Sequence, residues 1–254
     1  RNGTTGYEEA ASQGLMAGIN AARASAGCDP FLLDRADAYI GVMIDDLVTK
    51  GTDEPYRMFT SRAEYRLKLR ADNADQRLTE LGIGIGLVGK DRALRFNEKI
   101  SKLRLFGKIL DDLRISPNEA AKYGLKINQD GVKRSAKILL SYPNIEFEQI
   151  TNIWPNLREV PTEIIEQLVV DSTYSGYLER QEADIVAFRK DENLILSTSL
   201  NYNLIGGLSN EVKEKLSKAM PATLGAAARI SGVTPAALTT LLRYVKRKDK
   251  KAVA

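Results

Sequence analysis

The chain has 254 residues, 43% of them apolar and 28% charged, with a formal net charge of +4, which suffices for one large or two ordinary domains with filled cores. It contains no histidine and a single cysteine, Cys28. Internal disulfides, cysteine metal clusters, imidazole acid-base chemistry and Ser-His or Cys-His nucleophile pairs are therefore excluded, and any chemistry must come from a cofactor or from residues outside the chain.

The first motif is Asn2-Gly3-Thr4-Thr5-Gly6-Tyr7-Glu8-Glu9-Ala10. Thr5 followed three residues later by Glu8 reads as a capping box, and the glycines let backbone N–H groups approach a ligand at the positive end of a helix dipole. Asn2, Gly3, Thr4, Thr5, Gly6 and Glu8 are thus candidate contacts for a phosphate or flavin. A capped surface helix, with glycines for tight packing, is the alternative. The helix is expected over residues 6–22, with Tyr7, Ala10, Ala11, Leu15, Ile19 and Ala22 on one face. A loop at Gly27-Cys28-Asp29-Pro30 precedes a second helix expected over 39–49, where Ile40, Ile44, Leu47 and Val48 recur with helical period. Asp45 and Asp46 are adjacent on that helix and point in different directions, which favours capping or ion pairing over paired acid-base work.

Next comes a basic, aromatic segment from Pro55 to Arg70. Tyr65, Leu67 and Leu69 alternate with Arg66, Lys68 and Arg70, and in a strand this period of two places three cations on one face and three apolar groups on the other. Arg57 and Arg62 lie just upstream, with Tyr56 and Phe59 interleaved as stacking surfaces. Between Arg57 and Arg70 only Glu64 is negative. Arg57, Arg62, Arg66, Lys68 and Arg70 are therefore candidate contacts for a polyphosphate backbone; an edge strand with a merely solvated charged face is the alternative.

Helices dominate from there to the end. Ser116-Pro117-Asn118-Glu119 is a helix start and Gly124 a natural stop. Residues 142–159, with two prolines and Trp154, read as a connection of short packed pieces, and a long helix or pair of helices is expected over 162–191. Ser209 caps a helix to about Ala219, Pro221-Ala222-Thr223 opens a second, and Pro235 starts a third that ends in Arg243, Lys246, Arg247 and Lys248. This outline is a helix-turn-helix. Ala236, Ala237, Leu238, Thr239 and Thr240 stand where a reader of bases carries Arg, Asn or Gln, so the module suits protein docking or RNA-backbone contact rather than sequence-specific DNA reading. No stretch approaches the ~20 apolar residues that span a bilayer. No signal peptide is expected, and a cytoplasmic location or one in an organelle of bacterial origin is.

The strings from Asn2 to Ala10, Asp37 to Gly51 (DAYIGVMIDDLVTKG), Glu54 to Leu67 (EPYRMFTSRAEYRL), Asp72 to Asp75 and Ala228 to Leu238 (ARISGVTPAAL) resemble the MnmG (GidA) family, in the same order along the chain. The resemblance implies the C-terminal portion of a FAD-dependent tRNA uridine 5-carboxymethylaminomethyl modification enzyme. The implied fold is mainly α: the end of an α/β FAD-binding domain with a short basic strand (1–78), a helical middle region (79–160) and a helical C-terminal domain (161–254) with a terminal module at 205–254. The implied function is addition of an aminomethyl or carboxymethylaminomethyl group to C5 of a tRNA wobble uridine, with NADH as reductant and a folate as one-carbon donor. The implied partners are tRNA and the GTPase MnmE, with a homodimer assembling into a heterotetramer. FAD would lie beside residues 2–8 and tRNA beside Arg57, Arg62, Arg66, Lys68 and Arg70. The family's dinucleotide glycine loop and its catalytic cysteines are absent from these residues, Cys28 does not replace them, and Met220 and Ala226 depart from the family pattern. A non-catalytic helical docking module is the alternative reading.

Overall fold

The computed structural model describes residues 3–51, 54–192, 194–197 and 200–252, and they are predominantly helical. In chain order the elements are α1 (Tyr7–Ser25), α2 (Tyr39–Lys50), α3 (Ala74–Gly84), α4 (Lys90–Asp112), β1 (Arg114–Ile115), α5 (Pro117–Lys122), β2 (Arg134–Ser135), α6 (Ala136–Leu140), α7 (Phe147–Ile153), α8 (Thr162–Glu192), α9 (Asn210–Ala219), α10 (Leu224–Ala228) and α11 (Pro235–Ala252). Two compact units share them. One comprises the residues up to Tyr65 together with those from Glu182 onward; the other runs from Arg66 to Gln181. No helix among the described residues is long and apolar enough to cross a membrane.

The second unit is built around α4. Leu103 and Leu110 on its inner face pack with Leu139 and Leu140 of α6, Ile150 of α7 and Ile164 of α8. Leu139 and Ile150 are fully buried, and each contributes about 1.5–3 kcal/mol through loss of apolar surface to water. The two short strands pair antiparallel, Arg114 with Ser135 and Ile115 with Arg134. Local signals define the helix ends. Ser116 and Glu119 form a reciprocal capping box with Pro117 at the first helical position, and Gly124 supplies the positive φ of 78° that turns the chain after α5.

In the first unit α9, α10 and α11 enclose their own core, in which Leu216, Ala227 and Leu241 are almost wholly buried. Ser209 caps α9 through Val212 N, as the sequence outlines, and Thr223, the last residue of the opening string, caps α10 through Ala226 N.

Two expectations are corrected here. The inner face of α1 is not the apolar one: Tyr7 is 90% exposed and Leu15 is also exposed, while Glu9 and Met16 are buried and Gln13 and Asn20 are half-buried. These polar residues turn inward because they have hydrogen-bond partners there. Asn20 both donates to Phe31 O and accepts from Phe31 N, and Gln13 donates to the Thr4 hydroxyl. The expected basic strand over 65–70 is also absent, since residues 64–69 form turns. Side chains bind the carbonyls that a ladder would have used: Asn73 Nδ2 donates to Lys68 O, Arg77 to Arg70 O, and Arg70 to Leu67 O.

Candidate cofactor and nucleic-acid site

The start of α1 is tied to the segment around Tyr56. Gly3, at φ 69°, accepts a hydrogen bond from Tyr56 N at 2.6 Å, and Thr4 bridges Tyr56 in parallel. Asn2 lies outside the described residues. The predicted capping box of Thr5 and Glu8 does not form, because the N-cap is Gly6, one residue later, with no side-chain cap. Thr5 and Glu8 are exposed. That shift makes Glu9 the inward carboxylate. Its Oε1 accepts from Met58 N at 2.9 Å and lies 3.8 Å from Arg57 Nε. The Met58 N–H above all, with Arg57 adding a smaller contribution against the effect of burial, holds the Glu9 carboxyl below the usual carboxylate range. Glu9 Oε2 is buried with no hydrogen-bond partner. Gly6 leaves room for it, since a Cβ there would displace that carboxylate and approach Arg57. Glu8, Glu9, Ser12, Tyr39, Met43 and Arg57 line a cleft of about 270 Å³. Sequence reasoning selected Glu8 and missed Glu9; the signal was the glycine at position 6, which moves the helix start by one residue.

Beyond the cleft, Arg57 is exposed, whereas Arg62 is half-buried. Arg62 lies 4.6 Å above the Tyr56 ring, and its Nε donates to Arg57 O at 2.8 Å. Tyr56 itself is 7% exposed and donates its hydroxyl to Asp46 at 2.9 Å, so it offers no open stacking face, while Phe59 is exposed. Burial, and then Asp46, push the Tyr56 hydroxyl well above the ordinary phenol range.

This segment is held by a residue the sequence did not single out. Arg35, on the turn before α2, donates to Asp45 at 2.9 Å, Asp46 at 2.8 Å and Glu64 at 2.7 Å, and also to the carbonyls of Val42 and Arg62. Burial alone would lower its guanidinium pKa, but Glu64 and Asp46 outweigh that effect and raise it. Asp45 also pairs with Arg229. The ion-pair reading of Asp45 and Asp46 is thereby realised.

The remaining three candidates fall in the second unit. Arg66 is exposed and Lys68 half-buried. Arg70 is largely buried and neutralised by Asp72 at 2.9 Å and Asp171 at 2.6 Å, and it lies 4.9 Å over the Tyr174 ring. With no strand, these three cations do not form the one-sided ribbon that alternation predicts.

Comparison with known proteins adds a lineage to this geometry. A family model described as the tRNA modifying enzyme MnmG/GidA C-terminal helical bundle matches residues 184–253. The corresponding C-terminal helical domain matches 90–182, and a model described as glucose inhibited division protein A matches 1–29. The tRNA uridine 5-carboxymethylaminomethyl modification enzyme MnmG of Syntrophotalea carbinolica is 48% identical over 97% of this chain and 40% of its own length. The enzyme of the same name from Granulibacter bethesdensis is 43% identical over 98% of this chain and 39% of its own. Aquifex aeolicus GidA in its form II and form I crystals aligns with TM-scores of 0.79 and 0.77 at 39% identity. Both alignments cover 96% of this chain, and 39% and 38% of those chains.

Proposed function

Because the chain belongs to the MnmG/GidA family and spans about 40% of the length of the curated relatives it matches, we propose that it is the C-terminal part of a FAD-dependent enzyme modifying C5 of tRNA wobble uridines. The observation that carries this reading is identity of 48% and 43% sustained over nearly the whole chain with enzymes of that name.

The start of α1 fits the cofactor. A buried acceptor without a partner calls for a donor, and Glu9 Oε2 is such an acceptor; the ribityl and ribose hydroxyls of FAD are donors of the required kind. Gly3, Thr4, Thr5 and Gly6 would bring their backbone to the cofactor, with Glu9 receiving a hydroxyl. Bound FAD would supply redox chemistry in the one-carbon transfer. The chain's own residues bind and orient: Arg35 keeps Arg62 and Glu64 against α2, and Arg57 and Arg66 meet tRNA phosphates. In this reading NADH reduces the flavin and a folate provides the carbon. The enzyme acts as a homodimer with the GTPase MnmE in the bacterial cytoplasm or in mitochondria, and the helical bundle at α9–α11 is the docking element.

The test is tRNA affinity measured by fluorescence anisotropy across a salt series. Arg57→Ala and Arg66→Ala are each expected to weaken binding and to lower the slope of log affinity against log salt by about one. Unchanged slopes in both would remove these residues from the RNA surface.

A further inference from the structure

The strongest uncompensated charge in the second unit lies on α4, away from Arg66, Lys68 and Arg70 in the chain. Between Lys90 and Lys108 the only acidic residues are Asp91 and Glu98. Lys90, Arg92, Arg95, Lys102, Arg104 and Lys108 are all exposed, and none of these six has an ion-pair partner among the described residues. Three cations elsewhere in the same unit are internally neutralised: Arg70 by Asp72 and Asp171, Arg134 by Asp130, Lys137 by Asp111. On α4 only Lys99 is answered in this way, by Asp75 at 2.7 Å, among the described residues.

Spacing compensates this pattern only in part: Asp91 stands four residues before Arg95 and Glu98 four before Lys102, which is favourable, while other intervals bring like charges together. Arg104 and Lys108 are four residues apart, and Arg92, Arg95, Lys99 and Lys102 follow one another at intervals of three and four. Like charges at such intervals are neighbours on a helix and destabilise it. The buried ridge of Phe96, Leu103 and Leu110 packs inward. Helical geometry puts Arg95 and Lys102 to one side of that ridge and Arg104 and Lys108 to the other, so the cations border the solvent face along its length. A polyanion laid on that face would pair with the cations left without partners and release its own counterions.

We propose that the exposed side of α4 is a binding surface for the phosphate backbone of RNA, centred on Arg95, Lys102, Arg104 and Lys108. The choice of RNA as the anion rests on the tRNA-modifying reading; the location of the surface rests on α4 itself.

Anisotropy of the chain with tRNA across the same salt series tests it. The variants are Arg95→Gln/Lys102→Gln, Arg104→Gln/Lys108→Gln, the charge-preserving Arg95→Lys/Lys102→Arg, and Lys137→Gln as a paired-cation control. Both neutralising doubles are expected to flatten the salt slope, by about 0.7–0.9 for each phosphate that is no longer neutralised. The charge-preserving double and the control keep the wild-type slope. Circular dichroism verifies that every variant retains its helix content. Wild-type slopes in both neutralising doubles overturn the α4 surface; if Arg57→Ala still weakens binding, the tRNA-modifying reading survives that failure. Absence of any tRNA binding by the wild-type chain overturns the surface. An acidic protein as the true occupant would appear as weak, salt-insensitive tRNA binding that no α4 variant alters, which also overturns it.

Discussion

Arg35 uses its guanidinium on five different partners, two of them backbone carbonyls, and sits 5% exposed among three carboxylates. Asp46, at 1% exposure, accepts a charge-assisted hydrogen bond from it and another bond from the Tyr56 hydroxyl. Removing one partner of a buried ion pair costs about 3–5 kcal/mol, because the remaining charge loses its countercharge. Arg35→Ala is therefore expected to destabilise the first unit by about that amount in urea unfolding. Arg35→Lys recovers only part of the loss, because an ammonium cannot span Glu64 and Asp46 as a planar fork does. A loss below about 1 kcal/mol for Arg35→Ala would show that Asp46 finds another partner. Asp45 and Asp46 were legible as ion-pairing residues from adjacency on a helix. Their partner was not, because nothing local connects position 35 to positions 45, 46 and 64.

Among the helices, α9 ends in an unusual way. Its C-cap, Met220, has φ 45° and ψ 54° and donates its N–H to Leu216 O at 2.9 Å. Left-handed backbone costs an L-residue roughly 1–2 kcal/mol, and glycine is the usual occupant of such a cap. Met220 is 50% exposed, so little packing is lost on truncation. Met220→Gly is expected to stabilise the α9–α11 bundle by about 0.5–1 kcal/mol, after the greater backbone freedom of glycine in the unfolded chain is counted. Met220→Ala keeps the strain and brings no gain. Thermal melts of the two variants side by side decide it: an equal or lower midpoint for Met220→Gly means the bundle uses the methionine side chain. Other ends obey short-range chemistry. Ser116 with Glu119 and Ser209 cap where the sequence says they should, and Thr223 closes the Pro221-Ala222-Thr223 start in the same way, because each bond spans three residues. The first turn of α1 escaped the same logic, since Thr5 with Glu8 and Gly6 with Glu9 are competing starts and a distant contact, Glu9 with Met58 N, selected the later one.

At the scale of the whole chain, carboxylates paired or hydrogen-bonded in the folded state dominate the acid response. Arg134 first, then the Val132 N–H, push Asp130 down to about 2, and Arg70 chiefly lowers Asp72. Glu119 and Glu211 are lowered by their bonds to Ser116 and Lys215. A depressed carboxyl contributes stability above its unfolded pKa of about 4, and that contribution disappears as pH falls through the folded value. Asp37, raised mainly by burial, works in the opposite direction. The melting temperature is accordingly expected to hold between about pH 7 and 5 and to fall between about pH 4 and 2, with a shallower fall in Asp130→Asn. A midpoint that rises on acidification would contradict this assignment. Sequence alone determined the exclusion of histidine and cysteine chemistry, the helical class, the starts of α5, α9 and α11 and the resemblance to the MnmG family, because composition, caps and motif strings are properties of residues near one another in the chain. Only tertiary structure decided which face of α1 is buried, that Tyr65 to Arg70 turns instead of extending, and which cations remain unneutralised. Those outcomes depend on partners far away in sequence: Met58 for Glu9, Glu64 for Arg35 and Asp171 for Arg70. A local periodicity carries no information about whether such a partner will arrive.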